Sequence, residues 1–181
     1  MSMGNIKPFK DHFSIGSDAY TRYRPSYPPS LFEWLAGLTS GHDTVWDCGC
    51  GNGQAAIGLA PYFLQVIATD SSRQQIEQAQ KHERIRYSVA SAEDSGIADC
   101  SVDLIMVAQA LHWFDFELFY REARRVARPD GVIAAISYGP VHVEGAPYKV
   151  VNHFYSELLA RFWPPELPIC CCACRYRTED I

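Results

Sequence analysis

The sequence predicts an α/β fold in which helices cover both faces of a mostly parallel, doubly wound sheet. Short apolar runs of strand length alternate with helical stretches, and this alternation favours parallel strands joined by crossover helices. The run Val102–Ala108 is nearly all apolar, as expected for a strand that is covered on both faces. Glycines and carboxylates follow the predicted strands, and sheets of this kind bind ligands beyond the carboxyl ends of their strands.

Periodicity and capping signals place the individual elements. Apolar residues at i, i+3, i+4 and i+7 indicate a helix before the first strand, with a buried face formed by Leu31, Trp34, Leu35 and Leu38. A capping-box pair, Ser72 and Gln75, predicts the start of another helix. The predicted strands are Thr44–Cys48, Gln65–Thr69, Arg84–Val89, Val102–Ala108 and Val132–Ser137. Further helices are predicted over Ala55–Ala60, Ser72–Gln80, Phe116–Val126 and Ala146–Trp163, with a turn at Pro129–Gly131.

Composition narrows the class of protein. The chain has 181 residues, a hydrophobic fraction of 48% and a net charge of −5, and no run of Lys and Arg exceeds two residues. Proteins that bind nucleic acid through phosphates usually need a basic face, so no nucleic-acid partner is expected. The longest apolar runs have strand length and no signal peptide is apparent, so we expect a cytoplasmic protein without a membrane partner.

The strongest motif is a glycine loop that joins the first strand to the next helix. Glycines stand at alternate positions, Gly49, Gly51 and Gly53, where the backbone must turn tightly or allow a ligand to approach. The dinucleotide fingerprint would place its third glycine at Gln54 instead. The carboxylate of Asp47 would repel a pyrophosphate but suits a ligand with a cationic amino group and a sulfonium. The loop therefore favours S-adenosylmethionine over NAD.

Acidic residues also follow the second and third strands. Asp70 ends the second strand, where a carboxylate accepts hydrogen bonds from ribose hydroxyls, although an acid at this place is also typical of a helix N-cap. The segment Ser91–Asp94 follows the third strand, where an acid would meet an adenine amino group, although such residues are also ordinary in loops. These positions favour an adenosine-type ligand.

Taken in order, these segments resemble the class I S-adenosylmethionine-dependent methyltransferases, which have a Rossmann-like fold. Within that class they are similar to the type 11 group, which includes ubiquinone/menaquinone-biosynthesis and trans-aconitate methyltransferases. The His-Trp-Phe-Asp run after the fourth strand points to the trans-aconitate-like branch. The resemblance rests on the segments Tyr20–Pro28, Asp47–Gln54, Asp70, Ala92–Glu93, Ala108–Asp115 and Arg125–Gly131.

The resemblance implies a set of cofactor-binding residues. Asp47 and the first glycines would hold the methionine end, Asp70 the ribose, Glu93 the adenine, and Gln109 would lie near the sulfonium, while Arg24 would face the cofactor carboxylate. The implied set is Tyr20, Arg24, Asp47, Gly49, Gly51, Gly53, Asp70, Ser71, Ala92, Glu93 and Gln109.

The methyl acceptor is expected to be a small molecule, with a carboxylic acid as the leading candidate. His112 is the candidate general base, because the ordinary pKa of a histidine lies near neutrality, but a packed or capping histidine is an equal alternative. Trp113 would line the acceptor pocket or belong to the core. Arg22 and Arg24 would pair with a carboxylate. Two other interpretations stay open, a non-catalytic cofactor-binding protein and an NAD-dependent oxidoreductase.

The predicted domain organisation is a helical segment over residues 1–40, a methyltransferase domain over 41–165 and an atypical cysteine-rich tail over 166–181. The class usually adds two strands after the fifth helix, and none is predicted here. The fifth strand would then be an open sheet edge, through which self-association is expected. Cys171 and Cys174 have metal-ligand spacing, but without a second ligand pair no metal site is expected.

Overall fold

A computed structural model of the chain describes residues 26–137, 145, 147–154 and 157. The chain forms two compact units, Met1–Ile136 and Ser137–Ile181. The sheet and the candidate site belong to the first unit, and in the second the structure describes one helix. The predicted boundaries at residues 40 and 165 stay predictions.

Helices and strands alternate along the first unit, as the sequence predicted, except that no helix separates the third strand from the fourth. A single 3₁₀ turn, Leu111–Trp113, follows the fourth strand. The described elements are α1 (Pro29–Ala36), β1 (Thr44–Cys48), α2 (Gln54–Leu59), β2 (Gln65–Asp70), α3 (Arg73–Glu77), β3 (Ile85–Val89), β4 (Val102–Ala108), α4 (Phe116–Val126), β5 (Ala127–Ile136) and α5 (Pro147–His153).

The five described strands form one parallel sheet in the order β3-β2-β1-β4-β5. This arrangement confirms the predicted α/β fold. The order reverses between β1 and β4, which is the switch point at which such sheets bind ligands. Among the described residues β5 pairs only with β4, so the prediction of self-association through this edge stays open.

Two apolar clusters cover the two faces of the sheet. Alternate residues of β1 face opposite sides, so Val45 joins one cluster and Trp46 the other. The first cluster includes residues of α1 and α2, and the second includes Phe119 and other residues of α4. All seven residues of β4 are buried, which confirms its prediction as a strand covered on both faces.

Several predicted details are wrong. In α1 the buried residues are Phe32, Leu35 and Ala36, whereas Trp34 is 61% exposed. Leu38 is 47% exposed and lies beyond the end of the helix. The buried face has the expected spacing, but its first fully buried residue is Phe32, whose ring lies over Gly58 of the helix α2. Leu31 is only partly buried against the same apolar cluster.

The elements after β2 also differ in length from their predictions. Helix α3 ends at Glu77 rather than Gln80. The predicted turn Pro129–Gly131 lies inside β5, where the pairing with β4 shifts between Val102 and Leu104 and leaves the extra residues outside the regular register. The turn signal therefore marks an irregularity within the strand rather than its beginning. None of the described helices is both long and apolar enough to cross a membrane.

Candidate active site

The glycine loop lies between β1 and α2, with three left-handed backbone conformations in five residues. The φ angles of Gly49, Gly51 and Gly53 are 71°, 55° and 85°. Residues with a side chain rarely adopt such angles, which is why glycine stands at these alternate positions. The amides of Gly49 and Cys50 both donate to the carbonyl of Thr69 at 2.9 Å. The loop is thus bound to the carboxyl end of the neighbouring strand.

Two of the glycines are also required by close packing. A Cβ atom on Gly49 would lie 2.6 Å from the Cβ of Ala110 and 3.1 Å from the ring of Phe114. A Cβ atom on Gly53 would lie 2.2 Å from the hydroxyl of Tyr87, which donates to the carbonyl of Gln80. The residues after β4 and a tyrosine from β3 therefore hold the two ends of the loop.

Asp47 is completely buried in β1, directly before the loop. The neighbouring thiols of Cys48 and Cys50 are buried as well. Burial, with the negative charge of Asp47 next, raises the pKa of both thiols well above the ordinary value of a cysteine. Burial and the nearby Cys50 and Asp47 also raise the pKa of Tyr87 to about 12, so its hydroxyl stays protonated.

The Asp70 carboxylate joins the glycine loop to the start of α3. One oxygen accepts from the amide of Gly51 and the other from the amide of Ser72, each at 2.8 Å. Ser72 is the N-cap of α3 and its hydroxyl accepts from the amide of Gln75, as its spacing predicted. Asp70 is therefore not the N-cap that the alternative interpretation assumed. The partly buried Ser71 lies beside it.

The segment after β3 brings Ala92 and Glu93 to the same end of the sheet. Ala92 is buried, and the carboxylate of Glu93 accepts from the amide of Asp115 at 3.0 Å. Asp115 is in turn the N-cap of α4, since its side chain accepts from the amide of Leu118. Glu93 thus connects the segment that follows β3 to the segment that follows β4.

Gln109 follows β4 in a left-handed conformation, with φ of 57°. Its backbone amide donates to the carbonyl of Ile136 at 2.8 Å. Its side-chain amide nitrogen is buried and finds no hydrogen-bond acceptor within the part of the chain that the structure describes. Left-handed backbone at a residue other than glycine is costly and collects at functional sites, and an unused buried donor is equally unusual.

The predicted acceptor-side residues lie on the 3₁₀ turn and just after it. His112 is exposed, with its ring centroid 5.0 Å from that of Trp113, and partial burial lowers its pKa. The imidazole is therefore neutral at pH 7 and able to accept a proton. Trp113 is partly buried, while Phe114 packs against the core and beside Gly49.

The structure thus brings most of the predicted residues to the carboxyl ends of β1 to β4. Tyr20, Arg22 and Arg24 lie outside the described residues. In the described part of the chain no group of three or more His, Cys, Asp or Glu side chains could hold a metal ion.

Some residues that hold the glycine loop or the segment after β3 were missed by the sequence analysis. Tyr87, Thr69 and Glu122 make contacts that local patterns do not reveal, because their partners are distant along the chain. Of these contacts, the sequence indicates only the ion pair between Glu122 and Arg125, because an acid and a base three residues apart on one helix lie close together.

Comparison with known proteins identifies the family. A sequence profile of the methyltransferase domain matches residues 46–135. A protein of Dictyostelium discoideum named as a methyltransferase is 36% identical over 162 residues, which are 87% of this chain and 62% of that protein. A Saccharomyces cerevisiae protein named as an S-adenosylmethionine-dependent methyltransferase is 35% identical over 64% of this chain and 43% of its own length. The chain thus spans less than two thirds of either relative.

Solved structures agree with the sequence relatives. The structure described as a type II methyltransferase from Anaeromyxobacter dehalogenans has a TM-score of 0.71 and 49% identity, over 79% of this chain and 61% of that one. The sheet order, the glycine loop at the switch point and these relatives point to one family. The chain belongs to the class I S-adenosylmethionine-dependent methyltransferases.

Proposed function

We propose that the chain binds S-adenosylmethionine at the carboxyl ends of β1, β2 and β4 and catalyses methyl transfer to a small molecule. The observation that carries this proposal is the glycine loop, in which three left-handed residues without side chains stand between Asp47 at the end of β1 and Asp70 at the end of β2. Relatives that carry the same activity in their names support it.

The residues present suit this cofactor. Asp70 ends β2, where a carboxylate accepts hydrogen bonds from ribose hydroxyls. Ala92 and Glu93 would border the adenine. The buried amide nitrogen of Gln109 offers a donor that the described residues do not use. The negative charge of Asp47 favours a cationic ligand.

S-adenosylmethionine supplies a methyl group on a sulfonium, which is already activated towards displacement by a nucleophile. The protein then has mainly to align the acceptor and exclude water, and alignment alone contributes much of the rate. Gly49 and Phe114 lie against each other, so the loop that would hold the donor meets the segment that would hold the acceptor. His112, neutral at pH 7, would accept a proton from an acceptor that carries one.

The acceptor that we propose is a carboxylic acid, from the resemblance to the trans-aconitate-like branch. Arg22 and Arg24 would pair with its carboxylate. A carboxylate is already anionic at pH 7, so its methylation needs no general base, and His112 would act by positioning. A panel of small acids, phenols and carbon nucleophiles tests this assignment by methyl transfer, and turnover of phenols or carbon nucleophiles alone would refute it.

Calorimetric titration tests the cofactor. The wild-type chain is expected to bind S-adenosylmethionine and S-adenosylhomocysteine but not NAD. Replacing Gly51 by valine should abolish binding, because a β-branched residue does not tolerate the φ of 55° at this position. Replacing Gly145 by valine is the matched control for backbone strain in another part of the chain, because Gly145 has a left-handed φ of 81° and its added Cβ would meet only the Cδ of Pro147, at 4.0 Å. Unchanged affinity in Gly51→Val would refute the proposed site.

A further inference from the structure

The segment between β3 and β4 has no regular secondary structure, yet its middle is well buried. Residues 90–101 contain neither helix nor strand. Ala92, Ser95 and Ile97 are nevertheless only 6–7% exposed. A loop of this length keeps one conformation only if specific contacts hold it, because fixing each residue costs about 1–2 kcal/mol of conformational entropy.

One carboxylate on α4 holds the centre of this loop. Glu122 is itself 7% exposed, and its Oε1 accepts from both the amide of Ser95, at 2.9 Å, and the hydroxyl of Ser95, at 2.5 Å. The same hydroxyl accepts from the amide of Ile97 at 3.2 Å. Glu122 therefore accepts the hydrogen bonds from the centre of the loop that a neighbouring strand would accept in a sheet.

Arg125 completes the arrangement from the next turn of α4. Its guanidinium donates to both oxygens of Glu122, at 2.7 and 2.8 Å, and to the carbonyl of Ile97 at 2.7 Å. It also forms an ion pair with Asp99. The hydrogen bonds from Arg125 and Ser95 lower the pKa of Glu122 to about 2, so the carboxylate stays charged and able to accept.

The same helix holds the start of the loop. Glu93 accepts from the amide of Asp115, which is the N-cap of α4. The segment Ala92–Asp94 is thus fixed on one side by the N-terminus of α4 and on the other by Glu122, about two turns further along the same helix. Two attachments to one rigid element leave little freedom to the backbone between them.

We propose that Glu122 is a positioning residue that fixes residues 92–95 and thereby determines the selectivity of the site for adenine. The inference rests on the proposed function, in which Ala92 and Glu93 border the adenine. Adenine presents an amino donor and a ring-nitrogen acceptor, whereas hypoxanthine presents a carbonyl acceptor and a ring N–H donor at the same places. Fixed polar groups discriminate between such patterns, because the wrong base leaves them unpaired. Groups on a movable loop adapt to either pattern.

The test compares S-adenosylhomocysteine with S-inosylhomocysteine, which differ only in this pattern, by calorimetric titration. The wild-type protein is expected to prefer the adenine compound by about tenfold or more. Glu122→Gln, which weakens the contacts to Arg125 and Ser95, and the milder Ser95→Ala should both reduce this ratio severalfold. Arg124→Ala is the matched control, because Arg124 is exposed on the same helix, and it should leave the ratio unchanged.

Hydrogen exchange separates loosening of the loop from loss of the fold. The amides of Ser95 and Ile97 should exchange faster in both variants, while those of β1 and β4 stay protected. Wild-type protein that binds neither compound would refute the proposed function itself. Binding without a preference for adenine, or an unchanged ratio in variants whose loop exchanges faster, would overturn the role of Glu122 and leave the proposed function intact.

Discussion

The two ends of the sheet each carry an aspartate that accepts two backbone amides, but the two aspartates differ in what surrounds them. Asp103 in β4 is 5% exposed. It accepts from the amide of Asp43, which precedes β1, at 3.0 Å and from the amide of Thr44, the first residue of β1, at 2.8 Å. Arg128 adds an ion pair at 2.7 Å. At the opposite end, Asp70 accepts from Gly51 and Ser72 but is only partly buried.

The difference matches the roles proposed for the two carboxylates, a structural one for Asp103 and a ligand-binding one for Asp70. The charge of Asp103 is balanced by an arginine of the same chain and its side chain is closed off from solvent. Asp70 lies beside the glycine loop and accepts from its Gly51 amide. The two aspartates thus accept the same number of backbone amides, and they differ in burial and in the residues around them.

The largest expected effect is at the structural end. Asp103→Ala leaves the amides of Asp43 and Thr44 without their acceptor and Arg128 with Asp43 as its remaining ion-pair partner, and should reduce the free energy of unfolding by about 3 kcal/mol in urea titration. The affinity of the folded protein for S-adenosylhomocysteine should change by less than about twofold. Asp130→Ala, at an exposed position of β5, is the control. A large loss of affinity with little loss of stability would reverse the comparison.

Glu122, like Asp103, forms an ion pair with an arginine, and its contribution to stability can be measured by lowering the pH. Its folded pKa of about 2 lies below its ordinary value of 4.5, so its contribution is present above pH 4.5 and is lost as the pH falls towards 2. Glu122→Gln should therefore be less stable than wild type at pH 6, with a difference that narrows below pH 4.5. Glu117→Gln, exposed on the same helix, should not alter the pH dependence of stability.

At the ligand end the effect should fall on affinity. Asp70→Ala removes a charge-assisted acceptor, whose loss typically costs about 1.5–3 kcal/mol, so S-adenosylhomocysteine should bind roughly ten- to a hundredfold more weakly. The loss of stability should be smaller than in Asp103→Ala, because Asp70 is only partly buried whereas Asp103 is 5% exposed. Affinity within about twofold of wild type would show that the ribose is held elsewhere.

The smallest effect is expected at His112. If the acceptor is a carboxylate, His112→Ala should slow methyl transfer only modestly at pH 7, whereas general-base help to a phenol or carbon acceptor is worth about 10²–10⁴-fold. Desolvation lowers the pKa of His112 from the ordinary value of a histidine, so any activity that needs the neutral ring is retained at pH 7 and declines in acid. His82→Ala, at another exposed histidine, is the control. A collapse of carboxylate methylation at pH 7 in His112→Ala alone would refute the positioning role.

Features that depend on neighbours along the chain were predictable from the sequence. The glycine loop, the cap at Ser72 and the apolar strand β4 all follow from local patterns. Contacts between distant segments were not predictable. Ser95 and Glu122 are 27 residues apart, and Tyr87 reaches Gly53 from a strand that is not adjacent to β1. Periodicity gave the spacing of the buried face of α1 but not its first residue, because Phe32 is selected by the space over Gly58.

The raised pKa values of the loop cysteines have a chemical consequence for a protein proposed to hold an alkylating agent. A thiolate is among the strongest nucleophiles in a protein, and Cys48 and Cys50 stand on either side of Gly49. Burial and the charge of Asp47 keep both as thiols at neutral pH, and a thiol is a poor nucleophile. The carboxylate that favours a cationic ligand thus also protects the loop against self-methylation.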